Sequence, residues 1–213
     1  MAKHEVAKLM IFAALVLCPT WASPQKTRSR ASWAETVSST NNERTTNLQF
    51  YFHDIVSGNS PTAVPVARAS RSNGFPTGFG TLVMADDPLT EGPDPKSKLV
   101  GRAQGLYGSA SLDEVGLLMV MSYTFTDGEY EGSSLSILGR NSAMHPVREM
   151  AVVGGTGVFR MARGYAQART YWYNPKSWRC HCWVQRYRCS LIIIAWKELW
   201  LLTSFVLRLI MEM

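Results

Sequence analysis

Cysteine is scarce in this chain, with four among 213 residues. Cys18 lies in an apolar stretch near the N-terminus, and the other three fall between Cys180 and Cys189 near the C-terminus. The long segment 23–179 contains none. A fold held together by disulfide bonds is therefore excluded for that segment.

Histidine is equally scarce, and the central segment lacks a cluster of metal-ligating residues. His53 and His145 stand apart from each other and from cysteine, so a bound redox metal is not indicated. We therefore expect no metal and no cofactor. The protein would then contribute binding, orientation and electrostatics rather than redox chemistry.

Acidic residues are in the minority, since 22 Lys and Arg against 16 Asp and Glu leave a net charge of +6. Apart from QKTRSR at residues 25–30, however, the basic residues are scattered along the chain. Proteins that bind nucleic acid concentrate Lys and Arg on one face or segment. We therefore expect no nucleic-acid partner.

The N-terminus has the features of a secretory leader. Two lysines precede an apolar run over residues 9–18, and small residues follow it up to Ala22. This pattern predicts a signal peptide over residues 1–22 and a secreted protein, with a buried N-terminal helix as the alternative. Residues 23–46 are polar and lack a helical or strand period, which predicts a flexible arm.

The remaining sequence has the pattern of a β protein. Short runs of β-branched and aromatic residues alternate with Gly, Pro and Asp clusters, which is typical of an antiparallel sandwich or barrel. In GLLMVMSYTF, residues 116–125, the odd-numbered residues share one face and the even-numbered residues the other. An amphipathic helix over LDEVGLLMVMSY is the alternative, but Gly116 and the β-branched neighbours count against it.

Six blocks between Leu48 and Asn174 resemble those of the plant dirigent proteins, in the same order. The blocks are FYFHDI, PTGFG, DDPLTEGP, KLVGRAQGLYGSAS, LSILGRN and VREMAVVGGTGVFRMARGYA. The resemblance implies an all-β fold, an eight-stranded antiparallel β-barrel of the allene-oxide-cyclase type over residues 47–176. It further implies secretion to the apoplast and assembly as a homo-oligomer, a dimer or trimer, with no membrane partner for the mature domain.

The resemblance also implies a function, which is to direct the stereochemistry of phenoxy radical coupling. The radicals would come from phenolic substrates such as coniferyl alcohol and give lignans or related phenolics. A separate oxidase or laccase would generate them, so the protein itself would be a non-oxidative auxiliary rather than an oxidising enzyme.

Five site residues follow from the resemblance. It implies that the Asp54 carboxyl lies in an aromatic-lined, partly dry cavity, where its pKa is raised and it donates a proton to a quinone methide oxygen. It implies that Arg148 hydrogen-bonds a phenolic oxygen and Asp54, while Tyr107, Asn141 and Phe52 bind substrate. The residues alone are equally consistent with a turn-capping Asp54, an exposed Arg148 and a Tyr107 that only packs in the core.

Two positions depart from the members that form pinoresinol. Asn141 stands where those proteins have an acidic residue, and Ser109 stands where they have an aromatic one. Because an amide cannot protonate a quinone methide, we do not expect pinoresinol as the product. The pattern resembles the broader dirigent-like group, which includes pterocarpan-forming members. The second hypothesis is therefore a dehydrating cyclase with Asp54 as general acid, and the third is a structural factor in lignin deposition.

The C-terminal segment 177–213 departs from the family, whose members end in one more strand similar to TGDAIVGYNVTVV. If one base is dropped just before Trp178, its TGG codon forces Gly, and every cysteine codon after it shifts to Ala or Val. Trp178–Cys189 then permits the reading GDAIVGYNVTVV. We therefore predict that 177–213 is an aberrant, frame-shifted tail.

Two consequences and two alternatives follow for the tail. Either the barrel lacks its closing strand and exposes unpaired edges, which makes the chain unstable or inactive, or the tail substitutes in part for that strand. A zinc site is the first alternative, but one residue between Cys180 and Cys182 is a shorter spacing than zinc sites use. A membrane anchor over residues 190–210 is the second, although that run carries three charged residues.

Overall fold

The computed structural model of the chain describes residues 29–38, 43–70, 74–173 and 182–194. The expected signal peptide at residues 1–22 lies outside these ranges. So do Cys180 and the part of the tail beyond residue 194.

Ten antiparallel strands form one sheet in the order β1-β2-β10-β9-β8-β7-β6-β5-β4-β3, and a further pairing of β4 with β2 closes it. Eight strands, β2 and β4 to β10, make the closed barrel, while β1 and β3 are added at its seam. The expected eight-stranded antiparallel barrel is thereby confirmed. The strands are β1 (Ala34–Ser38), β2 (Glu43–Ile55), β3 (Ala63–Arg68), β4 (Thr81–Thr90), β5 (Leu99–Ser109), β6 (Gly116–Phe125), β7 (Ser134–Ser142), β8 (Arg148–Thr156), β9 (Arg163–Tyr173) and β10 (Cys182–Ile194).

The period of two in β6 determines which side chains enter the barrel. Met119, Met121 and Tyr123 are buried, whereas Leu118 and Val120, which alternate with them, face outward and are more than 40% exposed. The helical alternative for this segment is therefore wrong. The same alternation on the neighbouring strands fills the barrel with apolar and aromatic side chains.

One end of the barrel is packed with aromatic rings. The Trp33 ring stacks on Phe125 with centroids 5.1 Å apart, and Tyr130 stacks on Phe159 at the same distance. Phe50 contacts both Trp33 and Phe125 edge to face. We call Trp33, Phe50, Phe125, Tyr130 and Phe159 the aromatic end.

The N-terminal arm expected over residues 23–46 contains structure that the sequence pattern did not predict. Residues 34–38 form β1, which pairs with β2 in the register Ala34↔Leu48. Trp33, just before β1, is 5% exposed, and its Nε1 donates a hydrogen bond to Asp127 Oδ2 at 3.1 Å. One buried indole therefore anchors a polar segment that has no apolar period of its own.

The tail supplies the strand that closes the barrel. β10 runs antiparallel to β2 from Cys182↔Ile55 to Ile194↔Glu43, and its other edge pairs with β9. Tyr187, Cys189 and Leu191 lie in the core with at most 1% exposed. The structure thus matches the second of the two expected consequences, in which the tail substitutes for the closing strand and leaves neither neighbouring edge open along β10.

Candidate functional site

Five polar or charged side chains are buried at the end of the barrel opposite the aromatic end. We call them the polar end. They are Asp54 on β2, Asp87 on β4, Tyr107 on β5, Asn141 on β7 and Arg148 on β8, each at most 8% exposed. Buried polar groups are costly unless they are hydrogen-bonded, so their collection at one end of an otherwise apolar barrel marks a candidate site.

Asp54 and Tyr107 form the hydrogen-bonded pair of the polar end. The Tyr107 hydroxyl donates to Asp54, with its oxygen 3.1 Å from Oδ2 and 3.3 Å from Oδ1. Burial raises the pKa of Asp54 to about 6, while the Tyr107 hydrogen bond acts in the opposite direction. The direction of this shift is the one that the family resemblance implied. Because burial and the charge of Asp54 hold the pKa of Tyr107 well above its ordinary value, the phenol remains a donor.

Asp87 is the member of the polar end that the sequence reasoning missed. It is fully buried, and Thr62 Oγ1 donates a hydrogen bond to its Oδ1 at 2.5 Å. Its neighbour Asp86 faces outward and forms an ion pair with Arg102 at 2.6 Å. The alternation along β4, in which Ala85 and Asp87 point inward, was the signal that distinguishes the two adjacent aspartates.

Arg148 is buried on β8, and its guanidinium contacts β9 and the segment just before β8. Its Nη1 donates to Thr170 Oγ1 at 2.8 Å and to the backbone carbonyl of His145 at 3.2 Å. The hydrogen bond to the Asp54 carboxyl comes from Tyr107, and the expected contact between Arg148 and Asp54 stays a prediction. Burial lowers the pKa of Arg148 from its high ordinary value.

Asn141 and Phe52, the two remaining expected site residues, are also buried in the barrel interior. Asn141 is 1% exposed; its Nδ2 lies 3.8 Å from Met119 Sδ, and its Oδ1 is buried with no hydrogen-bond partner among the described residues. Phe52, two residues before Asp54 on β2, is buried and packs against Tyr187 with ring centroids 5.5 Å apart. The structure thus brings Asp54 and Tyr107 into contact and places the other three expected residues in the same interior, on separate strands.

The described part of the chain contains no group of three or more His, Cys, Asp or Glu side chains that could hold a metal ion. His53 is buried, with its Nε2 2.6 Å from Thr90 Oγ1. Cys180, one of the two cysteines of the zinc alternative, lies outside the described residues. Within the described ranges no helix is long and apolar enough to cross a membrane.

Comparisons with known proteins agree with this architecture. The sequence profile of the Dirigent-like protein family matches residues 45–184. Dirigent protein 23 of Arabidopsis thaliana is 54% identical over 177 residues, which cover 83% of this chain and 93% of the relative. Pterocarpan synthase 1 of Glycyrrhiza echinata is 57% identical over 143 residues, which cover 66% of this chain and 75% of the relative.

A solved structure supports the same assignment. The pterocarpan synthase dirigent protein GePTS1 superposes with a TM-score of 0.63 at 49% sequence identity, covering 73% of this chain and 88% of that chain. The profile match begins in β2 and reaches the first residues of β10, so it spans the strands that carry the polar end. The chain belongs to the dirigent family.

Proposed function

We propose that this protein binds phenolic substrates at the polar end and controls the stereochemistry of the bond formed there, without oxidising them itself. The observation that carries the proposal is the buried Asp54 carboxyl held by the Tyr107 hydroxyl. A carboxyl whose pKa is raised to about 6 exchanges its proton near neutral pH. Such a group is suited to move protons on and off a quinone methide or phenol.

The surrounding side chains supply orientation. Phe52 offers a ring face for a phenolic ring, and Asn141 offers an amide whose oxygen is free to accept a hydrogen bond from a ligand. In this proposal Arg148 donates hydrogen bonds to phenolic oxygens. Holding a substrate in one of two poses requires little energy, because a difference of about 1.4 kcal/mol between transition states already gives tenfold selectivity.

In the first form of this function, the protein directs the coupling of phenoxy radicals that a separate oxidase or laccase makes in the apoplast. Assembly as a homo-oligomer belongs to the same proposal. An outward row of apolar residues supports it, because neighbouring strands pair them in register and exposed apolar patches often mark interfaces. The row consists of Val64, Met84, Leu106, Val120 and Leu138.

In the second form, the protein is an enzyme that closes a ring on a quinone methide with loss of water. The relatives named pterocarpan synthase favour this form. So does the polar end, because dehydration of a benzylic alcohol needs proton transfer but no oxidant. Asp54 serves both forms as the group that exchanges a proton with the substrate.

Two assays separate these forms. Turnover of an isoflavanol without any oxidase supports the cyclase. Enantiomeric excess in coniferyl alcohol products only when laccase is added supports the director of coupling. In either assay Asp54→Asn should abolish the effect of the protein while leaving the circular dichroism spectrum unchanged. Absence of product selectivity in both would reject the proposal and favour a structural factor in lignin deposition.

A further inference from the structure

The polar end contains two carboxyl groups that face the barrel interior from neighbouring strands. β2 and β4 pair in the register Tyr51↔Thr90 and Phe52↔Leu89. Continuing that register by two residues sets Asp54 level with Asp87, and the negative charge of Asp54 raises the pKa of Asp87. Two carboxyls that interact in a dry interior do not both ionise readily, so the surroundings decide which of them keeps a proton.

The hydrogen bonds of Asp87 differ from those of Asp54. Thr62 is fixed by two bonds, because its Oγ1 accepts the Ile55 N–H at 3.1 Å and donates its own proton to Asp87 Oδ1 at 2.5 Å. Asp87 Oδ2 is buried and has no partner among the described residues. An ionised oxygen in that position would carry a large desolvation penalty, whereas a protonated oxygen is a donor available to a ligand.

The surroundings of Asp87 also favour its protonated form. Burial raises its pKa to about 8, and the negative charge of Asp54 adds to the rise. Tyr107 from β5 and Tyr123 from β6 face the pair as neutral phenols with raised pKa values. On the outer face, Asp86 raises the pKa of Asp87 further and Arg102 lowers it. Because the Asp54 carboxyl accepts the Tyr107 hydroxyl whereas Asp87 Oδ2 has no partner among the described residues, the geometry favours Asp87 as the residue that holds the proton.

We propose that Asp87 is a second catalytic residue, the acid that protonates the leaving hydroxyl of a phenol with a benzylic alcohol, while Asp54 acts as the base. This inference rests on the proposed function in its cyclase form. It assigns proton donation to the substrate to Asp87 and proton removal from the substrate to Asp54. The donor is Asp87 Oδ2, and the acceptor is the Asp54 carboxylate that Tyr107 stabilises.

The reaction balances without an oxidant. Asp54 takes the phenolic proton as Asp87 gives its proton to the benzylic hydroxyl; the C–O bond breaks, water leaves and a quinone methide forms. A second phenolic hydroxyl of the substrate then attacks the methide carbon and forms the ring C–O bond. Its proton returns to Asp87, while Asp54 returns its proton to the quinone methide oxygen. The net change is substrate to cyclic ether plus water.

The first test compares Asp87→Asn with Asp86→Asn, the outward-facing neighbour on the same strand. With a racemic isoflavanol and no oxidase, D87N should lower kcat about 10²–10⁴-fold with little change in KM. D86N should keep wild-type kcat. Wild-type kcat should fall above about pH 8 as Asp87 loses its proton, and D87N should lack this limb. A D87N variant that retains activity and the alkaline limb would overturn the proposal.

Thr62 provides a second variant in case D87N fails to fold. The Thr62 hydrogen bond holds the pKa of Asp87 down, so Thr62→Val should move the alkaline limb to higher pH. Thr62→Ser keeps the hydroxyl and should leave the limb in place. A limb that does not move in folded T62V would count against Asp87 as its origin.

Infrared spectroscopy separates failure of this assignment from failure of the proposed function. At pH 7 the wild-type protein should show the C=O stretch of a protonated carboxyl; D87N should lose it, and D86N should retain it. If the wild type turns over no isoflavanol but shows this pattern, the cyclase function fails and the proton still resides on Asp87. If D87N keeps the band, or the wild type lacks it, the assignment is wrong whatever the activity.

Discussion

The two ends of the barrel are built by the same strands, yet they differ in the contacts that their buried side chains make. β2 contributes Phe50 to the aromatic end and Asp54 to the polar end, four residues further along the same inward face. At the aromatic end the rings contact one another with centroids 5.1–6.4 Å apart. At the polar end, oxygens of Asp87 and Asn141 are buried with no hydrogen-bond partner among the described residues.

This difference indicates that the two ends of the barrel have different roles. Ring contacts and apolar burial stabilise the fold, whereas buried carboxyls reduce its stability and are retained for chemistry. Changes at the aromatic end should therefore alter the free energy of unfolding, and changes at the polar end should alter activity. The following predictions test that separation.

The largest effect is expected from removing the strand that both ends share. Deleting residues 174–213 removes β10 and leaves β2 and β9 with unpaired edges, so we expect a chain that aggregates or fails to fold. Deleting only residues 195–213 keeps β10 intact and should leave a folded protein. Circular dichroism and size-exclusion chromatography compare the two. A soluble, β-rich 1–173 chain would show that β10 does not stabilise the barrel.

Phe50 tests the aromatic end alone. Its ring is fully buried and contacts Trp33, Tyr123 and Tyr187. Phe50→Ala should lower the free energy of unfolding by about 3–5 kcal/mol, whereas Val66→Ala, at a position 55% exposed, should change it by less than about 0.5 kcal/mol. Urea denaturation measures both. Equal effects would mean that the aromatic end carries no special share of the stability.

The sequence predicted the barrel because its information is local and repeated. In β6 a single period of two separates Met119 and Met121 from Leu118 and Val120. Six ordered blocks resembling one family then specified how many strands to expect. β1 escaped prediction because it is held by long-range contacts, its pairing with β2 and the buried Trp33 beside it, rather than by a pattern within residues 34–38.

The sequence indicated candidate site residues one by one but not the contacts between them. The hydrogen bond from the Tyr107 hydroxyl to the Asp54 carboxyl depends on side chains from distant strands, which no local pattern in the sequence shows. Asp87 was missed because two adjacent aspartates look alike in sequence, and only the strand register decides which one faces inward.

The tail shows a different limit of sequence reasoning. A strand-compatible alternation at Tyr187, Cys189 and Leu191 suffices to close the barrel, although the residue types differ from those of the family's last strand. The frame-shift origin of residues 177–213 stays a prediction. Sequencing the transcript across Tyr173–Ser190 checks it.

The polar end should make stability depend on pH. Because burial raises the pKa of Asp54 from an ordinary value of 3.8 to about 6, the folded state binds the proton more tightly than the unfolded state. The contribution is fully present below pH 3.8 and is lost as pH rises through about 6. The loss is on the order of 2–3 kcal/mol.

Asp54→Asn tests this dependence. Between pH 4 and 7, the stability of D54N should fall less than that of the wild type, as measured by urea denaturation at each pH. Asp86→Asn serves as the control because Asp86 is exposed and paired with Arg102; its profile should resemble that of the wild type. Identical slopes for wild type and D54N would contradict the raised pKa.

Substitution of Cys189 should give the smallest effect, and it tests whether a change in the packed core leaves the polar end unaffected. It is a free thiol, 1% exposed, on the part of β10 that pairs with Leu48 and Ala166. Burial raises its pKa to about 12, so it is neutral and behaves as a small apolar side chain. Cys189→Val, the residue type that the shifted reading permits, should change the free energy of unfolding by less than about 1 kcal/mol and leave product selectivity unchanged. Resistance of the folded wild type to a thiol reagent checks the burial, and a large loss of activity in C189V would show that the two ends are not separable.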